Sequence, residues 1–161
     1  MKKAFLLTIL LSSSLFMNSQ NFSLSAKSGD VELDANLNEL NIKAKADLPL
    51  FKKDLSIEFN IGENKIDNML QLQMSPADVY MTLQVADIVK KDPEVVTASY
   101  TKNKDKGWGV IAKEMGIKPG SAEFHALKGK AKNKKDKSGK GKEKGNGNGN
   151  GKGNGKGKGK K

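Results

Sequence analysis

The chain of 161 residues has no cysteine, no arginine, a single histidine (His125) and a single tryptophan (Trp108). Without cysteine it cannot be a disulfide scaffold, a thiolate metal site or a lipid-anchored lipoprotein. One histidine supplies too few ligands for zinc. Without arginine the planar fork that reads guanine or grips phosphate in bidentate fashion is missing, and all 29 basic residues are lysine. Long apolar runs are missing as well. The longest, residues 4–11, falls well short of the ~20 residues that a membrane-spanning helix requires, so an integral membrane protein is not expected.

What stands at the N-terminus resembles an export signal. Lys2 and Lys3 give a positive start, residues 4–11 an apolar segment, and Ser12, Ser13 and Ser14 a small polar stretch. Cleavage is expected after Ser19, with Ser25 as the second choice. The organisation expected is therefore a signal peptide over 1–19, a small domain over 20–128 and a disordered tail over 129–161, in a secreted or periplasmic protein. The tail is built almost wholly of Lys, Gly and Asn, with nothing apolar beyond Ala131 to repay the entropy of ordering it.

The net charge of +11 conceals a division. From 128 to 161, 14 lysines face only Asp136 and Glu143, giving +12. From 21 to 127, 13 lysines face 16 acidic residues, giving −3. The basic character lies at the C-terminal end of a mildly acidic body.

Within the body, Val31, Leu33, Ala35 and Leu37 alternate with polar residues. After a two-residue step at Asn38-Glu39 the alternation resumes at Leu40, Ile42, Ala44, Ala46 and Leu48, up to Pro49. Leu55, Ile57, Phe59 and Ile61 alternate again before Gly62, and residues 69–74 suggest a fourth strand. This period of two predicts a small antiparallel sheet with one wet face. Helical signals follow. Ser75-Pro76-Ala77-Asp78 is a helix start, with Ser75 as N-cap and Asp78 completing a capping box. Asp92-Pro93-Glu94 starts a second helix. Trp108, Ile111, Ala112 and Met115 fall at i, i+3, i+4 and i+7 of a third, which Gly116 ends. Ser121 caps a fourth, carrying Phe124 and Leu127. Strands followed by about four short helices predict a small α+β domain with a disordered C-terminal tail.

The candidate chemistry is sparse. Asp30, Glu32, Asp34 and Asn36 have the spacing of a calcium loop, but Ala35 replaces its glycine and Asn41 its closing glutamate. His125 with Ser99 or Ser121 lacks any surrounding catalytic motif. The glycines of the tail form no phosphate loop, since no strand precedes and no helix follows them. No catalytic residue, metal or cofactor is therefore expected, and no small-molecule substrate. Trp108 between Gly107 and Gly109 fits a core anchor better than a ligand platform, because it heads the apolar stripe. The same segment has the spacing of a helix-turn-helix, an alternative in which the second helix reads nucleic acid. That helix offers only Ser121, Glu123, His125 and Lys128, poor tools for base edges.

The stretches "SPADVYMTLQVADIVKKDPEVVTASY" and "KNKDKGWGVIAKEMGIKPGSAEFHALK" together resemble uncharacterised small secreted or periplasmic bacterial proteins. These carry a GWGxIAKxxGIKPGS-type signature and often a Lys/Gly-rich tail. The resemblance covers residues 75–128 and implies export and a non-enzymatic role. The charge division adds an expectation of partners: anionic cell-envelope polymers or extracellular nucleic acid, held without sequence preference. The expected contacts are Lys128, Lys130, Lys132, Lys134, Lys135, Lys137, Lys140, Lys142, Lys144, Lys152, Lys156, Lys158, Lys160 and Lys161.

Overall fold

A computed structural model describes residues 27–138, and among them there is no strand. The chain forms α1 (Val31–Ala46), α2 (Leu48–Phe59), α3 (Glu63–Gln71), α4 (Pro76–Val89), α5 (Pro93–Asn103), a 3₁₀ turn over Lys104–Lys106, α6 (Trp108–Glu114) and α7 (Ala122–Lys137). The expected α+β architecture is thus corrected to an all-helical one.

The reason lies in how the apolar residues are spaced. In α1 the buried apolar residues are Leu33, Leu37, Leu40 and Ala44, at i, i+4, i+7 and i+11, a helical stripe hidden inside the alternating pattern. Val31 and Ile42, which completed the alternation, are 88% and 61% exposed. The residues between them are mostly Glu, Asn, Ala and Lys rather than β-branched types, so propensity also favours the helix. Asp30 caps it, accepting from the Leu33 amide at 2.9 Å. In α2 the true stripe is Phe51 and Leu55, with Phe59 half-buried, whereas Ile57 is 72% exposed. Pro49 opens this helix near its first turn, where a missing N–H costs nothing, instead of ending a strand. The strand expected at 69–74 is the end of α3 and a turn through Gln73, whose φ is +61°.

The helix signals from Ser75 onward correspond to α4, α5, α6 and α7. Both halves of the capping box at Ser75 and Asp78 are formed. α4 is the axis of the molecule: Pro76, Ala77 and every residue from Val79 to Ala86 are buried, as befits a helix enclosed by others on all sides. α1, α5 and α7 pack against it, with α2 and α3 closing the remaining side. Asn41 of α1 accepts from the Ala77 amide at 2.7 Å, so a buried side chain satisfies one of the free N–H groups at the start of α4.

The boundary expected at Gly129 does not fall there. α7 continues to Lys137, and Leu127, Ala131 and Lys134 form its buried stripe at i, i+4 and i+7. It lies alongside α1 in the same direction: Lys128 pairs with Asp30 near the start of α1, and Lys135 with Glu39 farther along.

Candidate polyanion-binding groove

The lysines expected to face an external polyanion divide into three groups. Lys128 binds Asp30 at 2.9 Å and Glu32 at 3.1 Å, Lys130 binds Asp87 at 3.0 Å, and Lys135 binds Glu39 at 3.4 Å. Lys134 is 7% exposed, 2.8 Å from Glu58, with its ammonium 5.8 Å from the centre of the Phe51 ring. These four hold the basic helix onto the acidic body. Lys132 and Lys137 are exposed and have no ion-pair partner among the described residues. Lys140, Lys142, Lys144, Lys152, Lys156, Lys158, Lys160 and Lys161 lie outside the described residues.

The pairing is visible in the carboxylates. The Asp30 carboxyl is held below its ordinary range by the Leu33 amide first and by Lys128 second. Lys90 and Lys130 do the same for Asp87.

Where α7 meets the ends of α2 and α4, a groove of about 650 Å³ opens. Its cations are Lys65, Lys90, Lys91, Lys130, Lys134 and Lys137, and its only carboxylates are Glu58 and Asp87. Both carboxylates are already paired, Asp87 with two lysines at once. The C-terminal ends of three helices also point here, each equivalent to roughly half a negative charge within its last turn. Lys65 is paired as well, with Glu94 at 2.6 Å, so Lys91 and Lys137 are the groove cations left without a carboxylate among the described residues. Between the charges lie Phe59, Ile61 and Pro93 as apolar lining and Asn60, Gln84 and Asn133 as amides. The Gln84 oxygen accepts from the buried Tyr80 hydroxyl at 3.2 Å.

Sequence reasoning found three of these lysines on α7 and missed Lys65, Lys90 and Lys91. A visible signal was the Lys90-Lys91 pair closing a helix in an acidic body. No local pattern points to Lys65, which only the folding of α3 against α4 brings near.

The remaining singled-out residues have structural partners. Trp108 is 2% exposed and donates its indole N–H to Asp78 at 2.7 Å. Ile111 and Ala112 are buried with it, and Met115 half so. Its two flanking glycines admit a close backbone: a Cβ on Gly107 or Gly109 would overlap the carbonyl oxygens of Lys27 or Ser28. Gly107 and Gly116 also have φ of +81° and +102°. Ser121 caps α7 through the Phe124 amide, and Leu127 lies in the core. Ser99 donates to Glu114, and His125 sits exposed at the edge of the Phe124 ring, so the two serines and the histidine form no common site. Asp30 and Asp34 serve the start of α1, the latter accepting from the Ser28 amide at 2.6 Å. No group of three or more His, Cys, Asp or Glu side chains is placed to hold a metal among the described residues.

The helix-turn-helix geometry is not formed. α6 packs chiefly on α5, while α7 turns its apolar stripe to α1 and α4. No helix among the described residues is long and apolar enough to cross a membrane.

The described residues form a small all-helical bundle around a central buried helix. Comparison with protein-family models, curated proteins and solved structures returns no match. The resemblance over 75–128 thus rests on its motifs alone.

Proposed function

We propose that this is an exported, non-enzymatic protein that binds anionic polymers of the cell envelope, through the groove between α2, α4 and α7 and the lysines that follow. One observation carries the reading: six lysines from α3, α7 and the C-terminal end of α4 converge on one recess, and two of them, Lys91 and Lys137, have no carboxylate partner among the described residues. Binding of this kind neutralises charge and releases counterions, so it weakens steeply as salt rises. Ser121, Asp30 and Asp34 serve helix starts, Glu32 pairs with Lys128, Ser99 donates to Glu114, and His125 lies against Phe124 apart from both serines, which supports a role without catalysis.

The test is elution from immobilised heparin. The full chain elutes later than a Lys91→Glu/Lys137→Glu variant, both positions being exposed and without an ion-pair partner among the described residues. Equal elution of the two would remove the groove from the reading. Export is tested separately, by sequencing the N-terminus of the protein isolated from its host. A start just after Ser19 or Ser25 supports it, and an intact residue 1 overturns it.

A further inference from the structure

The groove holds more than charge. Asn60 sits at the left-handed C-cap of α2 (φ +50°), and Asn133 faces the same recess from α7. Both are exposed, and neither side chain has a hydrogen-bond partner among the described residues. Amides pointing into solvent beside apolar lining suit a ligand that is itself amphipathic, with hydroxyls on its rim and C–H groups on its faces. Phe59, Ile61 and Pro93 supply that apolar lining. Lys91 and Lys137 supply charge that no carboxylate of the described residues has claimed.

Other polyanions fit less well. Single-stranded nucleic acid is held by stacking its bases on exposed aromatic rings. Among the described residues no Phe, Tyr or Trp is exposed, and the Phe59 ring packs edge-on against Tyr80 with centroids 6.1 Å apart. A bilayer presents a plane of headgroups, which a recess does not meet. A volume of about 650 Å³ lies within the ~300–1,000 Å³ of sites for small ligands and admits one short stretch of a polymer.

We infer that the groove seats a short segment of an acidic glycan. Its carboxylate or sulfate groups meet Lys91 and Lys137, its hydroxyls meet Asn60 and Asn133, and a sugar face lies on the apolar lining. This deepens the polyanion reading and rests on it.

The experiment titrates the full-length protein, labelled with ¹⁵N, with tetra-galacturonate, with a heparin tetrasaccharide and with an oligothymidylate of equal charge. The expected result is saturable one-to-one binding of at least one sugar tetramer, with shifts at the Asn60 and Asn133 side-chain amides. The oligothymidylate moves only lysine-flanked backbone signals. Which tetramer binds more tightly separates carboxylate from sulfate as the anionic group. An Asn60→Ala/Asn133→Ala variant, uncharged like the parent at both sites, loses roughly tenfold in tetramer affinity. Its elution from a sulfopropyl cation exchanger stays unchanged. If oligothymidylate binds as tightly at the same signals, or the variant binds the tetramers normally, the glycan inference fails while polyanion binding stands. If neither tetramers nor heparin retain the protein, both fail.

Discussion

Asp78 accepts the indole N–H of Trp108 at 2.7 Å across thirty residues of sequence, and it does so while completing the capping box of the helix on which it sits. Its other oxygen accepts from the Ser75 amide at 3.1 Å, the Ser75 hydroxyl at 2.7 Å and the Tyr100 hydroxyl at 3.0 Å. One carboxylate thereby ties the start of α4 to α5 and α6, and the Tyr100 and Trp108 rings lie beside it, tilted by 34° with centroids 5.5 Å apart. Burial, with the nearby Asp78 charge second, raises the Tyr100 hydroxyl far above the ordinary phenol range. The SPAD and GWG motifs, distant in sequence, are two halves of one joint.

Replacing Asp78 with Ala therefore unbinds four donors at once. Leaving buried donors unpaired costs about 1–3 kcal/mol each at most, and the total is less because Ser75 and Tyr100 can reach water. A loss of about 3 kcal/mol in urea unfolding is expected. Trp108→Phe removes one donor and part of the ring and costs about 1–2 kcal/mol. In a double-mutant cycle the two changes are strongly non-additive, and additivity would break the link between them.

Gly107→Ala meets two obstacles, a φ of +81° and the Lys27 carbonyl. The Trp108 amide donates to that carbonyl, so the segment before α1 is displaced. The expected signature is faster hydrogen exchange at the Trp108 amide, with a stability loss of about 1–3 kcal/mol. Gly116→Ala has a φ of +102° but open space around it, and costs only the backbone strain, about 1 kcal/mol.

Acid should loosen α7. Asp30 and Asp87 both titrate below their ordinary value in the folded protein, through Leu33 and Lys128 for the first and Lys90 and Lys130 for the second. A depressed carboxyl contributes fully above its unfolded value, near pH 4, and its contribution vanishes as pH falls through the lower folded value. The thermal midpoint is accordingly flat above about pH 5 and declines below about pH 4. Asp30→Asn keeps an equally good N-cap and loses the titration, so it flattens part of that decline. An identical acid profile in the variant would remove Asp30 from the account.

Lys134 is the one buried lysine of the described residues, and a methionine can take its place. Its stem fills space over Phe51, and its ammonium answers Glu58, itself 40% exposed and able to turn to water. Lys134→Met keeps the stem and is expected within about 1 kcal/mol of the parent. Lys134→Ala leaves a gap beside Phe51 and lowers stability by about 2 kcal/mol. Melting temperatures of the two variants decide it.

How much the chain discloses in advance differs along its length. From Ser75 onward the starts are written in caps and prolines, which act locally, and these could be recognised without knowing what the helices touch. In α1 the cues conflict. Leu33, Leu37, Leu40 and Ala44 belong to a helix, while Val31, Ala35 and Ile42 turn the same stretch into an alternation, and only burial tells which set faces inward. The lysines of α7 posed a related problem. Lysine, glycine and asparagine in succession resemble a solvated tail, and nothing local shows that Asp30, Glu32, Glu39, Glu58 and Asp87 await them on three other helices. The groove is invisible for the same reason: its lysines come from α7, the end of α4 and the start of α3.

The partnership of α1 with α7 also sets an order of events. Lys128 and Asp30 are 98 positions apart, so the contact between the first and last helices of the described domain closes nearly its whole length. A chain delivered with its N-terminus leading, whether from a ribosome or through a narrow channel, holds a waiting acidic helix that cannot find its basic counterpart until the last turns emerge. Such distant contacts form late, because the loop between them must first be closed. The lysines of α7 thus lock the bundle late, once the helices between α1 and α7 are in place.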